Sequence, residues 1–146
     1  MGSRLFDEIR EQHALCYAID GYLWGHPGTS FVSVDCSLRP SSVAEAYERI
    51  DAIVSGLSRN GPTKEESLRA RSYAAGVNSL TFESTVARAD HAVELIMEHD
   101  DHDVDPMLHL RAVEAVTRQD IAELAGRVAE GPCVGCAGAV SPAVFA

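Results

Sequence analysis

Residues 3–38 read SRLFDEIREQHALCYAIDGYLWGHPGTSFVSVDCSL, and the change of period inside that stretch sets the reading of the whole chain. From Ser3 to about His13 the apolar Leu5, Phe6 and Ile9 keep helical spacing among Asp7, Glu8, Arg10 and Glu11, with Ser3 placed as an N-cap. This predicts a short helix with one buried face. From Ala14 to Leu38 strand formers take over, with Leu15, Tyr17, Ile19, Tyr22, Leu23 and Trp24 in one run and Phe31, Val32, Val34 and Cys36 in the next. Gly25-His26-Pro27-Gly28 between them is a turn cluster, so the two runs read as an antiparallel β-hairpin. In its second arm Val32, Val34, Cys36 and Leu38 share one face, and Ser33, Asp35 and Ser37 the other.

Beyond the hairpin the pattern turns helical. Ser42 with Glu45 forms a capping-box pattern for a helix to about Ser58, whose stripe is Val43, Tyr47, Ile50, Val54 and Leu57. Asn60-Gly61-Pro62 stops it, and Thr63 with Glu66 caps the next start. The apolar series Leu68, Tyr73, Val77, Leu80, Phe82, Val86, Val93 and Ile96 then runs to about Glu98, with Gly76 or the Ser79 to Ser84 stretch as places for a bend or a break. After an acidic loop from Glu98 to Asp103, a short piece from Met107 to Val113 leads to Thr117, which begins a last helix through Val128. Gly131-Pro132 ends that helix, and the small apolar run Cys133 to Val140 predicts a buried strand. The expected fold class is α+β: an antiparallel sheet of about three strands with helices packed on one face.

Composition narrows the function. Twelve Lys and Arg against 22 Asp and Glu give a net charge of −10 over 146 residues, which excludes a nucleic-acid backbone or an anionic membrane as a partner for most of this surface. There is no run of roughly 18 apolar residues and no signal-peptide pattern, and four cysteines without secretory marks read as reduced thiols, so the expected location is cytoplasmic. A charged amphipathic segment begins almost at Met1, as if the chain opened partway through a domain.

Several pieces, taken in order, resemble one family. Ser3-Arg4-Leu5-Phe6-Asp7-Glu8-Ile9-Arg10-Glu11 and Ala14-Leu15-Cys16-Tyr17-Ala18 are followed by Gly61-Pro62-Thr63-Lys64-Glu65-Glu66 with Arg69 and Ala70, then Glu83-Ser84, then Ala115-Val116-Thr117-Arg118-Gln119-Asp120-Ile121. Their combination resembles the C-terminal, non-zinc domain of the pitrilysin/insulinase-type zinc metallopeptidases, which include the mitochondrial processing peptidases. The resemblance implies a partial metallopeptidase domain of the LuxS/processing-peptidase-like kind, truncated at its N-terminus, over residues 1–140, with residues 141–146 as a tail. The family's zinc motif, His-x-x-Glu-His, is not met by any of the six histidines; His91-Ala92-Val93-Glu94 continues with Leu95. An autonomous zinc protease is therefore not expected, no metal site is assigned to this chain, and any zinc is expected in a partner subunit.

The resemblance also implies a second element, an Arg and a Tyr seven residues apart that the zinc-free domain directs at the substrate backbone. Arg10 and Tyr17 stand at that spacing. A guanidinium can hold a carbonyl or carboxylate, and a phenol can donate to the oxyanion formed as water attacks. The expected substrate-binding residues are Arg10, Tyr17, His13 and His26, with Arg10 and Tyr17 as the catalytic pair. The simpler reading of the pair is a solvated Arg beside Asp7 or Glu11 and a half-buried Tyr on a strand. Cys133-Val134-Gly135-Cys136, with Cys16 and Cys36, is a weaker candidate for a zinc or redox site, against the simpler reading of small buried thiols. The acidic loop reads as a solvated face, and Gly25 to Gly28 beside Trp24 as a turn under a packed aromatic.

The function expected from all this is a substrate-handling subunit of a pitrilysin-type peptidase, presenting Arg10 and Tyr17 to a peptide in a partner's zinc site. The alternatives are a free-standing peptide- or small-molecule-binding protein and a dimeric enzyme without proteolytic activity. An open sheet edge predicts a homodimer or a complex with a zinc-bearing peptidase subunit.

Overall fold

Ser3 starts the first element as its sequence suggests: its Oγ accepts the Phe6 N–H at 3.1 Å and its carbonyl the Asp7 N–H at 2.9 Å. The computed structural model describes residues 2–26, 29–81, 83–98 and 107–145. Over Phe6–Gln12 the backbone widens into a π-helical turn in place of the expected α-helix. It closes with the His13 N–H on the Glu8 carbonyl, the Ala14 N–H on the Arg10 carbonyl and the Leu15 N–H on the Ile9 carbonyl, at 3.2, 3.1 and 3.0 Å. Ala14 takes φ 49°, the left-handed region, at a cost of about 1 kcal/mol for a residue with a Cβ.

Two antiparallel strands follow, β1 (Cys16–His26) and β2 (Thr29–Leu38), joined through residues 27 and 28, which lie outside the described residues. Register runs from His26 opposite Thr29 to Ile19 opposite Cys36, then slips, so that Cys16 faces Leu38. Tyr17 and Ala18 thus oppose the single Ser37, a β-bulge. The sheet has two strands among the described residues, not the expected three. Cys133 to Ala139 is exposed and has no regular structure. Glycines at 135 and 138 leave that run with little side chain to bury, which is why its apolar composition does not make a strand.

Residues 1–60 and 122–146 form one compact unit, and residues 61–121 another. In the first, a 3₁₀ turn at Pro40–Ser42 leads into α1 (Val43–Asn60). The expected Ser42–Glu45 box gives way to an ion pair, because the Glu45 carboxylate accepts Arg49 Nε and Nη2 at 3.0 and 2.9 Å. The core consists of Ile9 and Ala46, both fully buried, with Leu15 and Ile19; Val34, Cys36, Leu38, Ile50 and Ile53 pack around it. One face of the hairpin is therefore covered by helical segments, and the architecture is α+β. At the end of the chain the Phe145 ring meets Tyr47 edge-on, with centroids 5.4 Å apart.

In the second unit α2 (Lys64–Thr81) and α3 (Thr85–Glu98) replace one long helix, and α2 ends within the stretch where the sequence allows a break. Thr63 and Glu66 form a reciprocal capping box, with the Thr63 N–H donating to Glu66 Oε2 at 2.7 Å and the Glu66 N–H to Thr63 Oγ1 at 3.1 Å. On α2 and α3 the buried positions among the described residues are Ser67 and Leu95, whereas Leu68, Tyr73 and Val86 are exposed, so the apolar series of the sequence is not the packed stripe of this unit. Helix α4 (Leu108–Ala115) follows, and Arg71 Nη1 donates to the Glu114 carbonyl at 3.4 Å. Helix α5 (Arg118–Ala129) opens on Thr117, whose N–H and hydroxyl donate to Asp120 Oδ2 at 2.8 and 2.7 Å. Residues 99–106, most of the acidic loop, lie outside the described residues.

Two measurements test this account. Ile9→Ala removes the one large side chain without solvent contact among the described residues and should cost about 3 kcal/mol in urea unfolding followed by circular dichroism, against about 1 kcal/mol for Ile9→Val. The hydrogen bonds from Thr117 hold the Asp120 carboxyl below the usual carboxylate range. Its stabilisation is therefore complete at neutral pH and is lost as the pH falls through that depressed value. An acid titration should show that loss in wild type and a smaller one in Asp120→Asn.

Candidate functional site

The short path from Phe6 to Ala18 carries three departures from regular backbone: the π-helical turn, the left-handed Ala14 and the bulge at Tyr17 and Ala18. Together they bring Arg10 against Tyr17. The Arg10 guanidinium carbon lies over two rings, 4.7 Å from the Phe6 centroid and 5.2 Å from that of Tyr17. Its Nε is also 3.6 Å from Glu11 Oε1. The bulge keeps both Cys16 and Ile19 toward the core, so the two residues between them are outward, and Tyr17 is 84% exposed. The simpler expectation for Arg10, pairing with a neighbouring acid, holds alongside the ring contacts; the half-buried Tyr does not.

His13 ends the π-helical turn and stands on the other side of a charge chain. Its Nε2 is 3.3 Å from Glu8 Oε1, which also accepts Arg49 Nη1 at 3.0 Å, and Arg49 reaches on to Glu45. The His13 side chain is thus tied to α1 through Glu8, while its backbone N–H meets the Arg10 and Glu8 carbonyls. His26 closes β1 at the far end of the hairpin, and its side chain lies outside what is described. An open depression of about 270 Å³ beside Glu8 is lined by Arg4, Asp7, Gln12 and Ile53 and includes neither Arg10 nor Tyr17.

Arg49, Phe6 and Ala14 are the residues that sequence reading missed. Arg49 carried a usable signal, its i,i+4 spacing from Glu45. The sequence assigns Phe6 to the core stripe; it does pack there, and it also supports Arg10. Nothing in the sequence marks Ala14, because alanine is not a left-handed residue by preference.

The residues do not fit a zinc ion in the form His-x-x-Glu-His. His91 Nδ1 lies 3.8 Å from Glu94 Oε2 on α3, but the next position is Leu95, 4% exposed and part of the packing. Among the described residues no group of three His, Cys, Asp or Glu is arranged to hold a metal ion. The cysteines divide in two. Cys133 and Cys136 are exposed, contrary to the buried strand expected for them, while Cys16 and Cys36 sit beside the core. Burial pushes the Cys16 thiol up, with Arg10 opposing. Burial also raises that of Cys36, with Cys16, Asp35 and Cys136 adding to it. Both are held as thiols at neutral pH. Iodoacetamide at pH 7 should therefore modify Cys133 and Cys136 well before Cys16 and Cys36, with the lag shrinking as the pH is raised; peptide mapping by mass spectrometry reads the order.

A family model described as the Peptidase M16 inactive domain matches residues 1–74, just over half of the chain, and the three backbone irregularities all fall inside it. Among solved structures, the chain is similar to the periplasmic protease PqqL from Escherichia coli, with a TM-score of 0.64 and 16% sequence identity. That likeness covers 85% of this chain and 14% of the other, so the chain spans a small part of that protein's length. No curated protein matches by sequence.

Proposed function

We propose, from the premise that this chain belongs to the M16 peptidases through their inactive domain, that it is a non-zinc, substrate-handling piece of a pitrilysin-type peptidase. The observation that carries this reading is the convergence of three costly backbone features on one contact, Arg10 against Tyr17. A π-helical turn, a left-handed alanine and a bulge are each unfavourable or uncommon alone, and such features concentrate where a side chain must be aimed. The family commonly acts with a zinc-bearing domain or subunit. The zinc would sit in that partner, and a peptide would lie between the two.

The division of labour follows from the side chains. Contact with the Phe6 and Tyr17 rings uses the charge of the guanidinium and removes rotamer freedom from Arg10, while its N–H groups stay able to donate. Arg10 would hold a substrate carbonyl by those donors. The exposed Tyr17 phenol would donate to the oxygen that gains charge as water attacks the peptide carbon. His13, held by Glu8, would bound the site on the side of α1, and His26 would contact peptide only at the far end of the hairpin. A zinc-bearing subunit is the partner we favour over a second copy, because two chains of net charge −10 repel. Four thiols suit a cytoplasmic setting, although the similar Escherichia coli protein is periplasmic.

Among the described residues the outer edges of β1 and β2 pair with no further strand, which favours one second reading, a free-standing protein that takes up a peptide by strand addition without hydrolysis. Reconstitution separates the two. Added to its cognate zinc subunit, the chain should raise peptide hydrolysis, and Tyr17→Phe and Arg10→Ala should each lower kcat about 10²-fold with the complex still forming. Unchanged hydrolysis on addition of the chain, and no effect of either substitution, would leave only the second reading.

A further inference from the structure

The N-terminal unit is assembled from two stretches far apart in the chain, residues 1–60 and 122–146. One tie between them is the edge-on contact of Tyr47 with Phe145. A second place of approach carries sulfur on both sides. Cys36 of β2 packs against the core on the covered face of the hairpin, and Cys136, in the run after α5, comes near enough for its charge to act on the Cys36 thiol. Both thiols are free, Cys36 partly buried and Cys136 exposed. The run that carries Cys136 has room to close the remaining gap. Residues 132–137 have no regular structure, and a side chain placed at Gly135 or Gly138 would meet nothing within 4 Å.

We infer that Cys36 and Cys136 are the two halves of a redox strap, which a low-molecular-weight disulfide of the glutathione class closes by oxidising them to a bond between β2 and the C-terminal stretch. The exposed Cys136 thiolate attacks the small disulfide, forms a mixed disulfide and releases one small thiolate. Cys36 then loses its proton and attacks the Cys136 sulfur, and the second small thiolate leaves. Two protein thiols are oxidised, one small disulfide is reduced to two thiols, and the two protons given up by the cysteines end on them. Burial holds Cys36 as a thiol, so its step is the slower one, but the step is intramolecular and a small thiolate fraction suffices.

Two other pairings fit less well. Cys16 faces Leu38 and Cys36 faces Ile19, so the two are a diagonal pair across the bulge. Diagonal neighbours lie about 7–8 Å apart, past the roughly 7 Å between Cα atoms that a disulfide spans without moving backbone. Cys133 and Cys136 have the two-residue gap of a redox pair, but their run is irregular, so folding adds nothing to a bond inside it. Folding does bring Cys36 to Cys136, and their bond closes a ring of roughly 100 residues that contains the whole of the second unit. A reducing glutathione pool keeps such a strap open, and an oxidising compartment closes it. The strap is independent of the reading of Arg10 and Tyr17.

The full chain is equilibrated with glutathione disulfide at pH 8, its cross-links are mapped by non-reducing peptide mass spectrometry, and thermal unfolding is followed by circular dichroism. Cys36–Cys136 should be the main bond, and the unfolding midpoint should rise by about 10 °C and return on addition of dithiothreitol. Cys136→Ser, at an exposed position, and Cys36→Ala should each lose both effects, whereas Cys133→Ser should keep them. A Cys133–Cys136 bond as the main product would overturn the inference. So would Cys136 halted as a mixed disulfide with Cys36 still free, or a Cys36–Cys136 bond that leaves the midpoint unmoved.

Discussion

Ile9 is the constraint on which the N-terminal unit depends. It is fully buried against Ala46, Leu15 and Ile19, and its carbonyl accepts the Leu15 N–H that turns the chain into β1. A side chain held this firmly fixes its neighbour: Arg10 has to leave the helix on the solvent side, one position on, where Phe6 and Tyr17 wait for it. An ordinary α-helical exit would aim residues 10 and 13 differently. The wide turn and the left-handed Ala14 are the local cost of satisfying Ile9 and Leu15 together, and the aromatic contacts to Arg10 offset part of it.

The same anchor explains why Ala46 is buried in full while Tyr47, Ile50 and Ile53 of α1 are only partly so. A close approach of α1 to the π-helical turn requires a small side chain at the crossing, and the Arg49–Glu8 ion pair then ties the two elements at their rim, with Glu45 holding Arg49 from within α1. Arg49 and Glu8 are about a third exposed and Glu45 is half exposed, so each pair is worth about 0.5 kcal/mol, far less than the apolar contact they border. Packing sets the position of His13, and charge trims it.

How much of this could be read from sequence follows from where the signals are local. The hairpin, the Ser3 cap, the Thr63–Glu66 box and the Thr117 start are decided within a few residues of themselves, and all are present. The Arg10 and Tyr17 pair was legible through the family motif, and its spacing alone would not have revealed that the two touch. What failed has two causes. Glu45 left its capping role for a competing local partner, Arg49, four residues on; the other misses depend on tertiary contacts, since Cys133 to Ala139 joins no strand among the described residues and α2 and α3 bury Ser67 and Leu95 while Leu68, Tyr73 and Val86 stay exposed. Ala46 escaped the predicted stripe because small residues weigh little in an apolar pattern, although they decide how closely two segments approach.

An isolated two-stranded hairpin is at best marginally stable, yet this one runs to eleven and ten residues with half its length beyond the core. Inside the core region, covered residues and the bulge hold it; past Gly21 and Val34 the support is the Trp24–Phe31 stack and one indole hydrogen bond. Leu23 at 74% and Val32 at 44% exposure show that the covered face also runs out before the strands do. Natural sheets blunt exposed strands by shortening them or by placing charges along them. Here aromatic and aliphatic side chains stay exposed on both faces, with two carboxylates opposite each other in the register. The family match takes in the whole hairpin, so these long strands belong to the part of the chain that the M16 inactive-domain model describes.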